Sequence, residues 1–132
     1  MAKATGICFF DYILVEDRKL PPEEQTVWKL RSLSYDEHED LAELRGTASA
    51  TGQMVFIQNP LRRARRALNL GLLGWENFRG PDGPAELKTK GMGSSRIILD
   101  ETMNLIRRED AIEIADAIIE GAQLRESTSK NS

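Results

Sequence analysis

The sequence predicts an α+β fold: a small N-terminal antiparallel sheet packed against three to four helices. Three observations predict it. Two runs rich in aromatic and branched residues, Tyr12–Val15 and Trp28–Leu33, lie on either side of Pro21-Pro22, and such residues suit half-buried strands. Two helix-start signals follow, Ser34 with Glu37 and Asn59 with Pro60. Toward the C-terminus, apolar residues recur at helical spacing from Ala111 to Ala122.

In chain order, Tyr12-Ile13-Leu14-Val15 reads as the first strand and ends in the charged run Glu16 to Lys19. Pro21-Pro22 forbids regular pairing and marks a connection. From Trp28 to Leu33 the chain alternates, with Trp28, Leu30 and Ser32 on one face and Lys29, Arg31 and Leu33 on the other. This second strand is expected to pair with the first. Ser34 and Glu37 have the spacing of a capping box, so a helix should begin there. Asp36, Glu37, Glu39 and Asp40 then fall where the helix dipole favours negative charge. Tyr35, Leu41, Ala42 and Leu44 are its expected buried stripe and Gly46 its stop.

Residues 47–58 are less committed, with a third strand expected at Met54-Val55-Phe56-Ile57. Asn59-Pro60 starts the next helix, because proline at the first helical position sacrifices no hydrogen bond. Leu61, Ala64, Leu68 and Leu72 form its apolar stripe, opposite Arg62, Arg65, Arg66 and Asn69, with Arg63 alongside. The stretch Gly74–Gly83 should close that helix, with Asp82-Gly83 as a turn. Lys88 to Ser95 lacks apolar periodicity and reads as a mobile basic loop. Asp100 is expected to cap a short helix through Arg107. A last helix covers Glu109 to Leu124, its apolar stripe opposed by Glu113, Asp116 and Glu120. Residues 1–124 thus read as one domain, and the polar residues 125–132 as a frayed tail.

At 132 residues the chain can bury roughly two-thirds of its unfolded surface, enough for one core. Cys8 is the only cysteine, which excludes an internal disulfide and a two-cysteine zinc site. No apolar window reaches the ~18–20 residues that a membrane span needs, so synthesis and residence in the cytoplasm are expected. The net charge of −3 conceals a pattern. Residues 1–58 carry 6 basic and 10 acidic groups, residues 59–96 carry 8 and 3, and residues 97–132 carry 4 and 8. Acidic, basic and acidic segments can meet within one fold or between partners, where they govern orientation and encounter.

The residues able to do chemistry do not assemble into a reactive set. His38 sits within Asp36-Glu37-His38-Glu39-Asp40, but neighbours one and two positions away on a helix point elsewhere, and no second histidine is present to complete a transition-metal site. Gly91-Met92-Gly93 lacks the Gly-Lys-Ser/Thr ending of a phosphate loop. No catalytic residue, metal or cofactor is therefore expected, and the chain reads as a non-enzymatic binding protein. Two segments are the expected contacts. Ile7, Phe9 and Phe10 belong to an apolar patch near the N-terminus that could extend a neighbour's sheet. Arg62, Arg63, Arg65 and Arg66 crowd one helix; acidic protein surface is favoured over nucleic acid as their counterpart, given the sequence pI of about 5.3. Trp28, Trp75 and Phe78 are expected in the core.

Three stretches carry a resemblance. They are Tyr12 to Leu33, with its Gln25-Thr26 before the second strand; Gly71-Leu72-Leu73-Gly74-Trp75-Glu76-Asn77-Phe78 followed by Asp82-Gly83; and the acidic closing helix ending at Lys130-Asn131-Ser132. Together they resemble small proteins of the tail-morphogenesis region of tailed bacteriophages, including tail assembly chaperones. The resemblance implies a viral protein made in the host cytoplasm, in or out of the finished virion, with tail-tube, tape-measure or connector proteins as partners and self-association open. A structural virion subunit, such as a head–tail connector or capsid decoration protein, and a phage nucleic-acid binder using the arginine helix are the alternatives.

Overall fold

The computed structural model of the chain describes residues 7–43, 47–48, 54–55 and 60–130. It has an α+β architecture. Strand β1 (Phe9–Tyr12) and strand β2 (Val27–Arg31) are joined by 310 turns at Glu16–Lys19 and Pro22–Glu24, and helix α1 (Tyr35–Glu43) follows. Two-residue strands β3 (Thr47–Ala48) and β4 (Met54–Val55) pair with each other. Then come α2 (Pro60–Gly71), β5 (Leu72–Glu76), a small hairpin of β6 (Arg79–Gly80) and β7 (Gly83–Pro84), a second hairpin of β8 (Thr89–Lys90) and β9 (Ile97–Ile98), α3 (Asp100–Met103) and α4 (Arg108–Lys130).

The main sheet is antiparallel with order β1-β2-β5. Its first strand pairs with the second as expected, but it spans Phe9–Tyr12 and not Tyr12–Val15. Two features move it. The Ser32 amide donates to the Cys8 carbonyl at 2.8 Å and the Cys8 amide to Ser32 Oγ at 2.8 Å, extending the ladder backward. At the other end the Leu14 carbonyl accepts the Asp17 and Arg18 amides, which turns the chain into the 310 segment. The apolar patch around Phe9 and Phe10 is therefore strand.

On the inner face of β2, Trp28, Leu30 and Ser32 are buried as the alternation predicts. The core lies between this face and the apolar sides of α2 and α4, where Ala64, Ala67, Leu68, Ile114, Ala115 and Ile118 are buried. Burying each large side chain contributes roughly 1.5–3 kcal/mol. Trp28, Trp75 and Phe78 stack edge-on or tilted, with ring centroids 4.9–5.6 Å apart, and Trp75 Nε1 donates to the Ala85 carbonyl at 2.9 Å. The three rings close one end of the core.

Several expectations are corrected. Tyr35 is 79% exposed, because a side chain on the first helical residue points back toward the N-terminus and off the sheet; among the described side chains of α1, Leu41 is the buried apolar one. Ala42, Leu44, Gly46, Phe56, Ile57 and Asn59 lie outside the described side chains. The apolar stripe of α2 keeps Ala64 and Leu68, but Leu61 is 39% exposed and Leu72 already belongs to β5. The sequence pattern places that segment in a helix end and turn. It follows α2 with no intervening residue and pairs with β2, matching Trp75 to Trp28 and Leu72 to Leu30 around a bulge. Gly71 permits this junction: a Cβ there would collide with the Ile118 side chain and stand 3.0 Å from the Arg31 carbonyl.

The basic stretch after Lys88 is a hydrogen-bonded hairpin and not an unpaired loop. Asp100 does not cap: Leu99 holds the cap position, α3 ends at Met103, and the Asp100 carboxylate turns to Arg65. In α4 the stripe is broader than the expected set of Ala111, Ile112, Ala115, Ile118, Ile119 and Ala122, since Ile114 and Ala117 are buried as well. Glu113, expected on the polar face, accepts from the Tyr12 hydroxyl at 2.7 Å and the Val15 amide at 2.9 Å. The helix bends at Gly121 (φ 28°, ψ −97°), where an added Cβ would meet Ser32 Cβ at 2.6 Å. Only glycine enters that backbone region at low cost.

Candidate interaction surfaces

Alternation along β1 divides the N-terminal residues between two faces. Phe10 and Tyr12 turn inward and pack against the core. Ile7 and Phe9 turn outward, 49% and 66% exposed. Phe9 lies opposite Arg31 in the register, and Asp11 opposite Lys29. On this outer face Lys29 bridges Asp11 at 3.1 Å and Glu76 at 3.6 Å, tying the three strands together; the Asp11 hydrogen bond raises the Lys29 pKa. The surface presented is two large apolar side chains beside a cross-strand charge cluster. Of the three apolar residues singled out from the sequence, two face out and one anchors the strand.

The arginine helix is distributed differently. Arg63 approaches Asp116 of α4 at 3.8 Å, Arg65 pairs with Asp100 of α3, and Arg66 approaches Asp40 of α1 at 3.8 Å. Arg62 is exposed. The basic segment thus meets acidic segments on both sides of it in sequence. Exposed pairs of this kind each contribute roughly 0–1 kcal/mol, so exchanging an internal carboxylate for one on a partner has a small energetic penalty. Asp40, Asp100 and Asp116 could be guessed as partners only by sign, since their approach to α2 depends on how three separate helices dock.

Between these surfaces sits a tighter electrostatic link. Arg31 of β2 donates to both carboxylate oxygens of Glu37 at 2.8 and 2.7 Å, with the side chains only 17% and 11% exposed. Glu37 also accepts the Ser34 amide at 2.8 Å, while Ser34 Oγ accepts the Glu37 amide at 3.3 Å. This is the reciprocal box expected from the sequence. The fork of Arg31 and the Ser34 amide stabilise the carboxylate and hold the Glu37 pKa down to about 2. Arg96, whose pKa burial lowers, donates to the Asn69 and Leu72 carbonyls at the end of α2, a cationic partner for a helix C-terminus.

His38 is exposed on α1. Among the described residues no three of His, Cys, Asp and Glu converge in a way that could hold a metal ion, and no helix is long and apolar enough to cross a membrane. Comparison with protein-family models, with curated proteins and with solved structures returned no match to this chain.

Proposed function

We propose that this chain is a non-enzymatic protein of tailed-phage morphogenesis that works by binding other proteins, as a tail assembly chaperone does. The sequence resemblance supplies the phage setting. The supporting structural observation is the outward pair Ile7 and Phe9 on a strand whose register is pinned by Tyr12, Phe10 and the Cys8–Ser32 bonds. Large apolar side chains held in fixed positions beside charge are the usual anchors of a protein interface. The tail-tube and tape-measure proteins are the partners in this reading, and the host cytoplasm is where binding takes place. The arginines of α2 contribute a salt-sensitive second contact, because their internal pairs are weak and replaceable.

Co-expression with the tail-tube and the tape-measure protein of the same phage tests this directly. A complex should form with one of them and weaken at least tenfold on Phe9→Ser with Ile7→Ser, while the folded spectrum of the variant stays that of the wild type. No complex with either protein refutes the reading. Mass spectrometry of purified particles then separates a chaperone, absent from virions, from a connector or decoration subunit, present at a fixed ratio.

A further inference from the structure

The hairpin of β8 and β9 presents a methionine in an unusual setting. Met92 is 86% exposed, the most exposed large apolar side chain among the described residues. It stands between Gly91 (φ 86°) and Gly93 (φ 59°). The turn beneath it is built, not slack: the Met92 carbonyl accepts both Ser95 Oγ at 2.7 Å and the Ser95 amide at 3.2 Å. A Cβ on Gly91 would lie 2.8 Å from the Ser95 carbonyl, so the chain closes on itself there. Lys90 is exposed on the same hairpin and Ile97, its register partner, is 46% exposed. The result is a preorganised finger with an apolar tip and a basic flank. Preorganisation lowers the ordering cost of docking, and methionine adapts well to a receiving pocket.

A hollow of about 240 Å³ lies on the same chain, between the β6–β7 turn and α3. Pro81, Pro84 and Leu105 supply its apolar lining, and Asp82, Glu86 and Glu101 its acids. A cavity of about 150 Å³ accepts a benzene molecule, so this one has room for a thioether side chain. Met92 does not occupy the hollow of its own chain, as its exposure shows. Lys88 also lines the hollow and lies 3.5 Å from Glu101, so Asp82 and Glu86 are the acids that face a basic visitor such as Lys90.

We propose that Met92 of one copy inserts into the Pro81–Pro84–Leu105 hollow of a second copy, with Lys90 facing the Asp82 and Glu86 carboxylates. Exchanged reciprocally between two copies the contact closes a two-fold dimer, and passed on serially it builds a ring or a filament; both seat the same finger in the same hollow. The inference does not rest on the phage reading. It concerns a different face from Ile7 and Phe9, so either can fail alone.

Sedimentation velocity of the full chain over a concentration series tests it. Wild type should show species above the 14.8 kDa monomer. Met92→Asp should weaken association at least about tenfold, the loss expected for one buried apolar anchor. Glu86→Lys should weaken it as well, and Lys90→Glu combined with Glu86→Lys should recover part of the loss. Mixing Met92→Asp, which keeps the hollow, with Asp82→Lys/Glu86→Lys, which keeps the finger, should give a 1:1 dimer that grows no further. A wild-type monomer at every concentration overturns the proposal. So does association untouched by Met92→Asp, or two defective variants that do not combine when mixed.

Discussion

Replacing Glu37 with Gln isolates the charge at the junction of sheet and helix. Glutamine can still close the capping box, so the perturbation removes the ion pair with Arg31 and little else. In the folded protein the Glu37 carboxyl is held at about 2, against an ordinary value of 4.5. At about 1.4 kcal/mol per pH unit this difference sets a ceiling near 3 kcal/mol, and the low exposure of both side chains limits solvent screening. We expect Glu37→Gln to lose about 2–3 kcal/mol at pH 7, seen as a fall in Tm of roughly 8–12 °C. The sign with pH follows from a folded-state pKa that is depressed. The stabilisation is complete above about 4.5 and fades as pH falls toward about 2. At pH 3 roughly two-fifths of it should remain. Urea denaturation of both proteins at pH 7 and pH 3 reads this out. A gap below about 0.5 kcal/mol at pH 7, or one equally large at pH 3, refutes the assignment of the depressed pKa to a stabilising Arg31–Glu37 link.

Gly71→Ala should destabilise by about 1–3 kcal/mol in chemical denaturation, since its Cβ overlaps Ile118 at the crossing of α2, α4 and β2. Tyr12→Phe should lose about 1 kcal/mol with the Glu113 hydrogen bond. Burial and Glu113 raise the Tyr12 pKa, so wild-type stability contributed by this group is present below pH 10 and declines as pH rises above it; the Phe variant should lack that alkaline component in a pH series of thermal melts. Trp28→Ala should cost about 3–5 kcal/mol and erase most near-ultraviolet dichroism, because the ring is 1% exposed and touches both Trp75 and Phe78. Arg66→Gln should change stability by less than about 1 kcal/mol, as its ion pair with Asp40 is long and exposed.

What was legible in the sequence is what neighbouring residues decide among themselves. The Ser34–Glu37 box spans only two intervening residues and forms as the spacing predicts. The alternation of Trp28, Leu30 and Ser32 has the period of a strand whatever it packs against, and all three are buried. The stripe of α4 has the period of a helix, and the α+β class follows from these elements together. Of the candidate contacts, the sequence picked out the segment bearing Ile7 and Phe9, but only strand register decided that Phe10 turns the other way.

The tertiary structure decided whatever depends on residues distant in the chain. Strand β5 has the length of β2 but not its alternation; it is a strand because β2 offers an edge on which Leu72 and Trp75 pack beside Leu30 and Trp28. Arg63, Arg65 and Arg66 of α2 are members of ion pairs with Asp116, Asp100 and Asp40 because α4, α3 and α1 dock around them. Glu113 has the pattern of a surface charge, yet it accepts from the Tyr12 hydroxyl at the end of β1 and from the Val15 amide just beyond that strand, about a hundred residues away. Local hydrogen bonding and side-chain period are properties of short segments, while burial and charge pairing are properties of the packed whole.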